Sequence, residues 1–121
     1  RVEPLYNFSI MMPDAECQLL LCELHRRGQG MTSEDLFVFF HKKGFEGYGE
    51  LPAKKKNKSG EYNSGPKNRE LLNRTNRKYL HKLEAAGYIT RIWSGRRFSV
   101  HITDAGRYIA CVSGLLEDDT K

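Results

Sequence analysis

The sequence predicts a mostly helical α+β fold, with three helices, a two-stranded hairpin and a C-terminal helix. Three observations carry that prediction. From Asn68 onward, Leu72, Tyr79, Leu80, Leu83 and Ala86 recur at three- and four-residue steps, which puts them on one helix face. After Gly87, the stretch from Tyr88 to Trp93 is rich in aromatic and β-branched residues. Beyond the Ser94-Gly95 turn signal, Phe98, Val100 and Ile102 alternate with Ser99, His101 and Thr103, the period of a half-buried strand. Apolar stripes with capping signals lie on both sides of this unit.

In chain order, Arg1 to Met12 reads as an N-terminal arm, with Leu5, Tyr6, Phe8 and Ile10 able to form a short strand or lie on the core. Pro13 to Arg27 is the first helix. Pro13 suits a first helical position, and Asp14 and Glu16 suit the positive helix end. Cys17, Leu20, Leu21 and Leu24 form its stripe, Leu19 and Cys22 widen it, and Gly28 stops it. Thr32 to Lys43 is the second helix. Thr32-Ser33-Glu34-Asp35 resembles a capping box, and Leu36, Phe37, Phe39 and Phe40 supply the core face. Residues 44–66 hold five glycines, two prolines and the run Lys54-Lys55-Lys56-Asn57-Lys58, so they read as a long basic loop. The third helix begins at Pro66 or Lys67, with Ser64 as its cap. It runs to Ala86, or divides into two near Arg74. Thr103 caps the last helix, whose stripe is Ala105, Tyr108, Ile109, Val112, Leu115 and Leu116. That stripe completes the monomer core or pairs with its copy in a homodimer; the N-terminal arm is the other segment suited to a second subunit. One domain over residues 13–117 and an acidic tail over 118–121 complete the plan.

The chain has 121 residues, 39% of them hydrophobic, with six Tyr, six Phe and one Trp to fill a single core. No apolar run approaches the ~18 residues of a membrane helix, and no secretory signal is present, so a cytoplasmic place, or a nuclear one in a eukaryote, is expected. Starting at Arg1 rather than Met, the chain reads as a piece of something longer. Three cysteines cannot all pair within one chain, and Cys17 and Cys22 lie on different sides of a helix, so reduced thiols are expected. The net charge of +5 is strongly polarised. Lys54 to Arg97 carries 13 Lys/Arg against 3 Asp/Glu, and the remainder has 7 against 12. Such polarity is a physical argument for an anionic partner.

Enzymatic chemistry is hard to build from these residues, and no cofactor is expected. The glycines of residues 44–49 lack the Lys-Ser/Thr ending of a phosphate-cradling loop. His25, His41, His81 and His101 have no metal-ligand spacing with one another or with the cysteines, and no nucleophile–base set follows from spacing.

Leu80-His81-Lys82-Leu83-Glu84-Ala85-Ala86-Gly87-Tyr88-Ile89 resembles the end of the recognition helix in winged helix-turn-helix regulators. Ile102-Thr103-Asp104-Ala105-Gly106-Arg107 is similar to that family's wing exit. The resemblance runs from Asp14 to Leu116, and such signatures are common in bacterial and archaeal regulators of the MarR, PadR and ArsR kind. Two features depart from the pattern: the insertion from Gly44 to Pro66 stands where a short turn is usual, and Asn76 stands where an aliphatic residue is common. The resemblance implies a double-stranded DNA partner and a regulatory function. The third helix would enter the major groove with Arg74, Asn76, Arg77, Lys78 and His81 facing the bases. Arginine donates two hydrogen bonds to guanine and asparagine pairs with adenine in the same bidentate way. Lys82 would meet phosphate, and Arg96 and Arg97 at the wing tip would meet phosphate or the minor groove. Lys54, Lys55, Lys56 and Lys58 would add salt-sensitive affinity.

Two other functions compete. A winged helix also serves as a protein-docking module in larger assemblies. A binder of RNA or single strands would use the basic loop with Tyr48, Tyr62 and Trp93. As a structural pair, Trp93 and Phe98 would instead stiffen the wing across the hairpin.

Overall fold

The computed structural model describes residues 13–52 and 66–119, with side chains described as far as residue 112. Its elements are α1 (Ala15–Arg27), β1 (Met31–Thr32), α2 (Ser33–Lys42), α3 (Pro66–Thr75), a π turn (Asn76–Leu80), α4 (His81–Ala85), β2 (Ile89–Ser94), β3 (Arg97–Ile102) and α5 (Asp104–Asp119). The arm of residues 1–12, Ser64, Tyr62 and the four lysines Lys54, Lys55, Lys56 and Lys58 lie outside the described residues.

Local chemistry sets the helix ends. Asp14 is the N-cap of α1 and accepts from the Cys17 N–H at 2.9 Å, so the helix starts just after Pro13 rather than on it. Gly28 ends α1 at φ 69°, a left-handed angle that costs a glycine nothing. Thr32 and Asp35 form the expected capping box, with reciprocal bonds of 3.2 and 3.0 Å.

α3, the π turn and α4 run as one long helix, because Thr75, Leu80 and His81 all keep right-handed helical angles. Residues four apart in an α-helix drift by about 40° around the axis. Leu71, Thr75, Tyr79 and Leu83 are nevertheless all buried. The wider π turn takes up that drift, and Leu80 is buried beside Tyr79 within it. Among the described residues Thr75 is, tyrosines and cysteine aside, the one buried polar residue; its hydroxyl donates to the Leu71 carbonyl at 2.7 Å and lies 2.7 Å from the Tyr48 hydroxyl.

The sheet has three strands, in the order β1-β3-β2, not the two expected. Met31 pairs with Val100 and Thr32 with Ser99, so the residues leading into α2 add a short antiparallel strand. β2 and β3 pair from Ile89↔Ile102 to Ser94↔Arg97. The turn between them has Gly95 at φ 64° and Arg96 at negative φ, the pattern of a type II′ turn.

The core is centred on aromatics. Phe40 lies 4.8 Å from Tyr79, 5.0 Å from Phe45 and 4.8 Å from Tyr48, measured between ring centroids. The segment read as the start of a loop is therefore partly core. Tyr48 is fully buried, which removes it as a nucleic-acid contact, and the His41 Nδ1–H donates to its carbonyl at 2.7 Å. Ring stacking and the Thr75 hydroxyl outweigh the glycine-rich local sequence here.

α5 continues to Asp119, past the expected end near Leu116, and Gly114 does not interrupt it. A glycine inside a helix costs only about 1 kcal/mol. Its inward face also differs from expectation. Gly106, Ile109 and Ala110 are buried, while Ala105 and Tyr108 are exposed. The reason is close approach: a Cβ on Gly106 would overlap the Tyr88 carbonyl. On α1, Leu19 likewise lies 39% exposed instead of widening the core stripe.

Gly106→Ala should therefore force α5 away from Tyr88. A loss of about 1–3 kcal/mol, the usual range for overpacking, is expected in urea unfolding. A neutral effect would show that α5 is not held at that distance.

Candidate nucleic-acid interface

The long helix carries two opposed lines of residues. The buried line is Leu71, Thr75, Tyr79 and Leu83. Two positions away from each, Arg69, Asn73, Arg77 and His81 are all exposed. Arg77 and His81 were expected on such a face; Arg69 and Asn73 were missed. The four-residue spacing that runs back from His81 could have found them. The Arg77 Nε–H donates to the Asn73 carbonyl at 3.4 Å, which lays the guanidinium along the helix surface.

The other expected contacts divide. Lys78 is half-buried beside this line, and its carbonyl lies 4.0 Å from the Cys17 thiol. Arg74 is also half-buried, lying across Gly47, where a Cβ would overlap its guanidinium. Its buried Nε has no hydrogen-bond partner. Lys82 is exposed and ion-pairs with Asp14 at 3.3 Å, which links the end of the long helix to the start of α1. Arg96 and Arg97 are exposed at the hairpin tip.

Asn76 has a partner that its sequence position did not suggest. Its Oδ1 accepts from the Arg91 Nη1–H at 2.8 Å. The same guanidinium donates through Nη2 at 2.9 Å and Nε at 3.3 Å to Glu84 Oε1. Arg91 stands on the face of β2 that also carries Trp93, and its charged group lies 5.2 Å from the Phe98 ring centre and 6.0 Å from that of Trp93. The Arg91 side chain is only 8% exposed. An arginine in a basic segment reads as a surface charge, but this one joins the hairpin to the long helix. Trp93 and Phe98 are directly paired in the register, with centroids 5.0 Å apart, as expected of a cross-strand pair.

Two buried groups on this side of the core have their ionisation shifted by their surroundings. Burial, with the Asp14 charge nearby, pushes the Cys17 thiol up to about 12. Burial and the hydrogen bond to Glu16 at 3.1 Å push the Tyr79 phenol well above its ordinary value. Among the described residues no group of three His, Cys, Asp or Glu side chains could hold a metal ion, and no helix is long and apolar enough to cross a membrane.

Arg91→Met should cost about 1–3 kcal/mol of stability, the range for losing hydrogen bonds to a charged group. Thermal unfolding beside Glu84→Gln, which keeps a hydrogen-bond acceptor and should lose less, measures it. Asp14 supplies a pH test. Burial raises its pKa, but the hydrogen bonds from Cys17 and Lys82 and the Lys82 charge outweigh burial and hold it below the ordinary 3.8. A carboxyl lowered on folding stabilises fully above its unfolded pKa and loses that contribution as pH falls through the folded value. Asp14→Asn, which keeps a capping side chain, should therefore flatten part of the stability loss below about pH 4. Unfolding curves through the acid range would fail to separate the two proteins if neither the Cys17 hydrogen bonds nor the Lys82 pair favours the ionised carboxyl.

The family model of the DUF6293 C-terminal winged helix domain matches residues 16–114. No curated protein and no solved structure gives a significant match. The match gives the helix and wing arrangement its family, but not the MarR, PadR or ArsR grouping that the local motifs suggested. With helices, wing strands and match covering the same residues, the chain belongs to the DUF6293 C-terminal winged helix domain family.

Proposed function

We propose that this domain binds double-stranded DNA in a sequence-dependent way and acts in transcriptional regulation. The observation that carries this reading is the exposed line Arg69, Asn73, Arg77 and His81 on the long helix, joined to a wing tipped by Arg96 and Arg97. Winged helix domains commonly bind DNA. The helix lies in the major groove, where Arg77 suits guanine and Asn73 suits adenine. Asn73 is favoured over Asn76 for that role because the Asn76 carbonyl oxygen is already taken by Arg91. Lys78, Arg96 and Arg97 face phosphates, with Lys54, Lys55, Lys56 and Lys58 as further salt-sensitive contacts. Lys82, held by Asp14, is a weaker candidate for phosphate than its position in the sequence suggested.

Binding of a labelled random-sequence duplex across a salt series tests the reading, with the Arg77→Ala/Lys78→Ala double variant beside it. Affinity should fall steeply with salt, and the variant's log–log slope should be shallower by about 1–2. Negligible binding at low salt, or a variant indistinguishable from the parent, would remove the long helix as the DNA contact. A selection experiment with Asn73→Ala then reads specificity, with relaxed preference expected at one base pair.

A further inference from the structure

Trp93 is 58% exposed, although it forms the cross-strand pair with Phe98. Phe98 itself is only half-buried, and the Arg91 guanidinium lies against both rings. The inner side of the platform is thus occupied, and more than half of the indole is left in water. Leaving that much of the largest apolar side chain exposed forgoes burial that a smaller ring would not need. The platform is also tied to the long helix. A single arginine side chain connects it to Asn76 and Glu84, so it holds a set position relative to the exposed line of the long helix. Arg96 and Arg97 flank it at the hairpin tip, inside the stretch with 13 basic and 3 acidic residues.

We infer that Trp93 is a stacking site for an unpaired nucleobase next to the duplex held by the long helix, so that the preferred ligand is a junction between double and single strand. This rests on the duplex-binding reading above. An exposed indole offers a flat apolar face to any base, and the arginines beside it attract the phosphates on either side of that base. Because the ring already packs against Phe98 with Arg91 beside it, less side-chain freedom is lost on binding than for an unsupported ring. Base pairs inside a duplex keep both faces stacked on their neighbours, so away from the duplex ends only an unpaired base presents a face to Trp93.

Trp93 is the only tryptophan of the chain, so its fluorescence reports the contact directly. The full chain is titrated with a blunt duplex and with the same duplex carrying a short single-stranded extension. The extended duplex should quench Trp93 and bind about 5- to 150-fold more tightly than the blunt one, the gain expected from stacking one base. Trp93→Leu should abolish that gain and leave blunt-duplex affinity unchanged. Trp93→Phe, which keeps a ring against Phe98, should keep part of the gain. Equal affinities for the two duplexes without selective quenching in the unaltered protein would overturn the inference, whatever the variants do. If the blunt duplex still binds with a salt slope that Arg77→Ala/Lys78→Ala makes shallower, the duplex-binding reading survives that failure. If neither duplex binds, both fall.

Discussion

A long helix can rest on a core only if its apolar residues stay on one side along its whole length. From Pro66 to Ala85 the buried positions come mainly every fourth residue, which an ideal α-helix cannot keep in line. The π turn at Asn76–Leu80 resolves the conflict by holding extra chain in one turn. Everything on the opposite surface inherits that solution. Arg69 and Asn73 before the turn line up with Arg77 and His81 because Leu71 and Thr75 line up with Tyr79 and Leu83. The π turn also begins at Asn76, where the hairpin is attached through Arg91.

That attachment shows how charge is used inside a small domain. A guanidinium that is nearly buried needs its donors satisfied, or its desolvation is uncompensated. Arg91 meets this need with a carboxylate, an amide oxygen and two aromatic rings. Because Glu84 is still 40% exposed, the pair is not sealed from water, and its contribution lies in position more than in strength. Ile89 and Val100 share the core with the long helix, and the turn at Gly87 joins the two elements along the chain. With Arg91 in place, two basic surfaces that would repel each other are held at a set separation.

The parts of this architecture that depend on neighbours in the chain were legible. The Thr32–Asp35 capping box, Gly87 at the helix end, the Gly95 turn and the Trp93–Phe98 pair each involve residues close in sequence, and each forms as read. What was not legible depends on distant partners. β1 is two residues long and exists only because Val100 and Ser99 lie beside it. Tyr48 looks like a loop residue until Phe40 and Thr75 enclose it. Asn76 looked like a base reader because its competitor, Arg91, is on another element. The site shows the same division: Arg77, His81, Arg96 and Arg97 are exposed as their pattern implied, while Arg74, Asn76 and Lys82 are occupied by contacts no local pattern announces.

The bond between Tyr48 and Thr75 has a consequence for how such a domain can change over time. It ties the chain just before residues 53–65 to the helix just after them, and Phe45 strengthens the near anchor. Both ends of that stretch are thus set by the core rather than by what lies between. Closing a longer stretch costs little, about 0.6 kcal/mol for each doubling of its length. Its length and composition can therefore drift, or be exchanged wholesale, without turning the helix that follows, so this position behaves as an interchangeable cassette on a fixed frame.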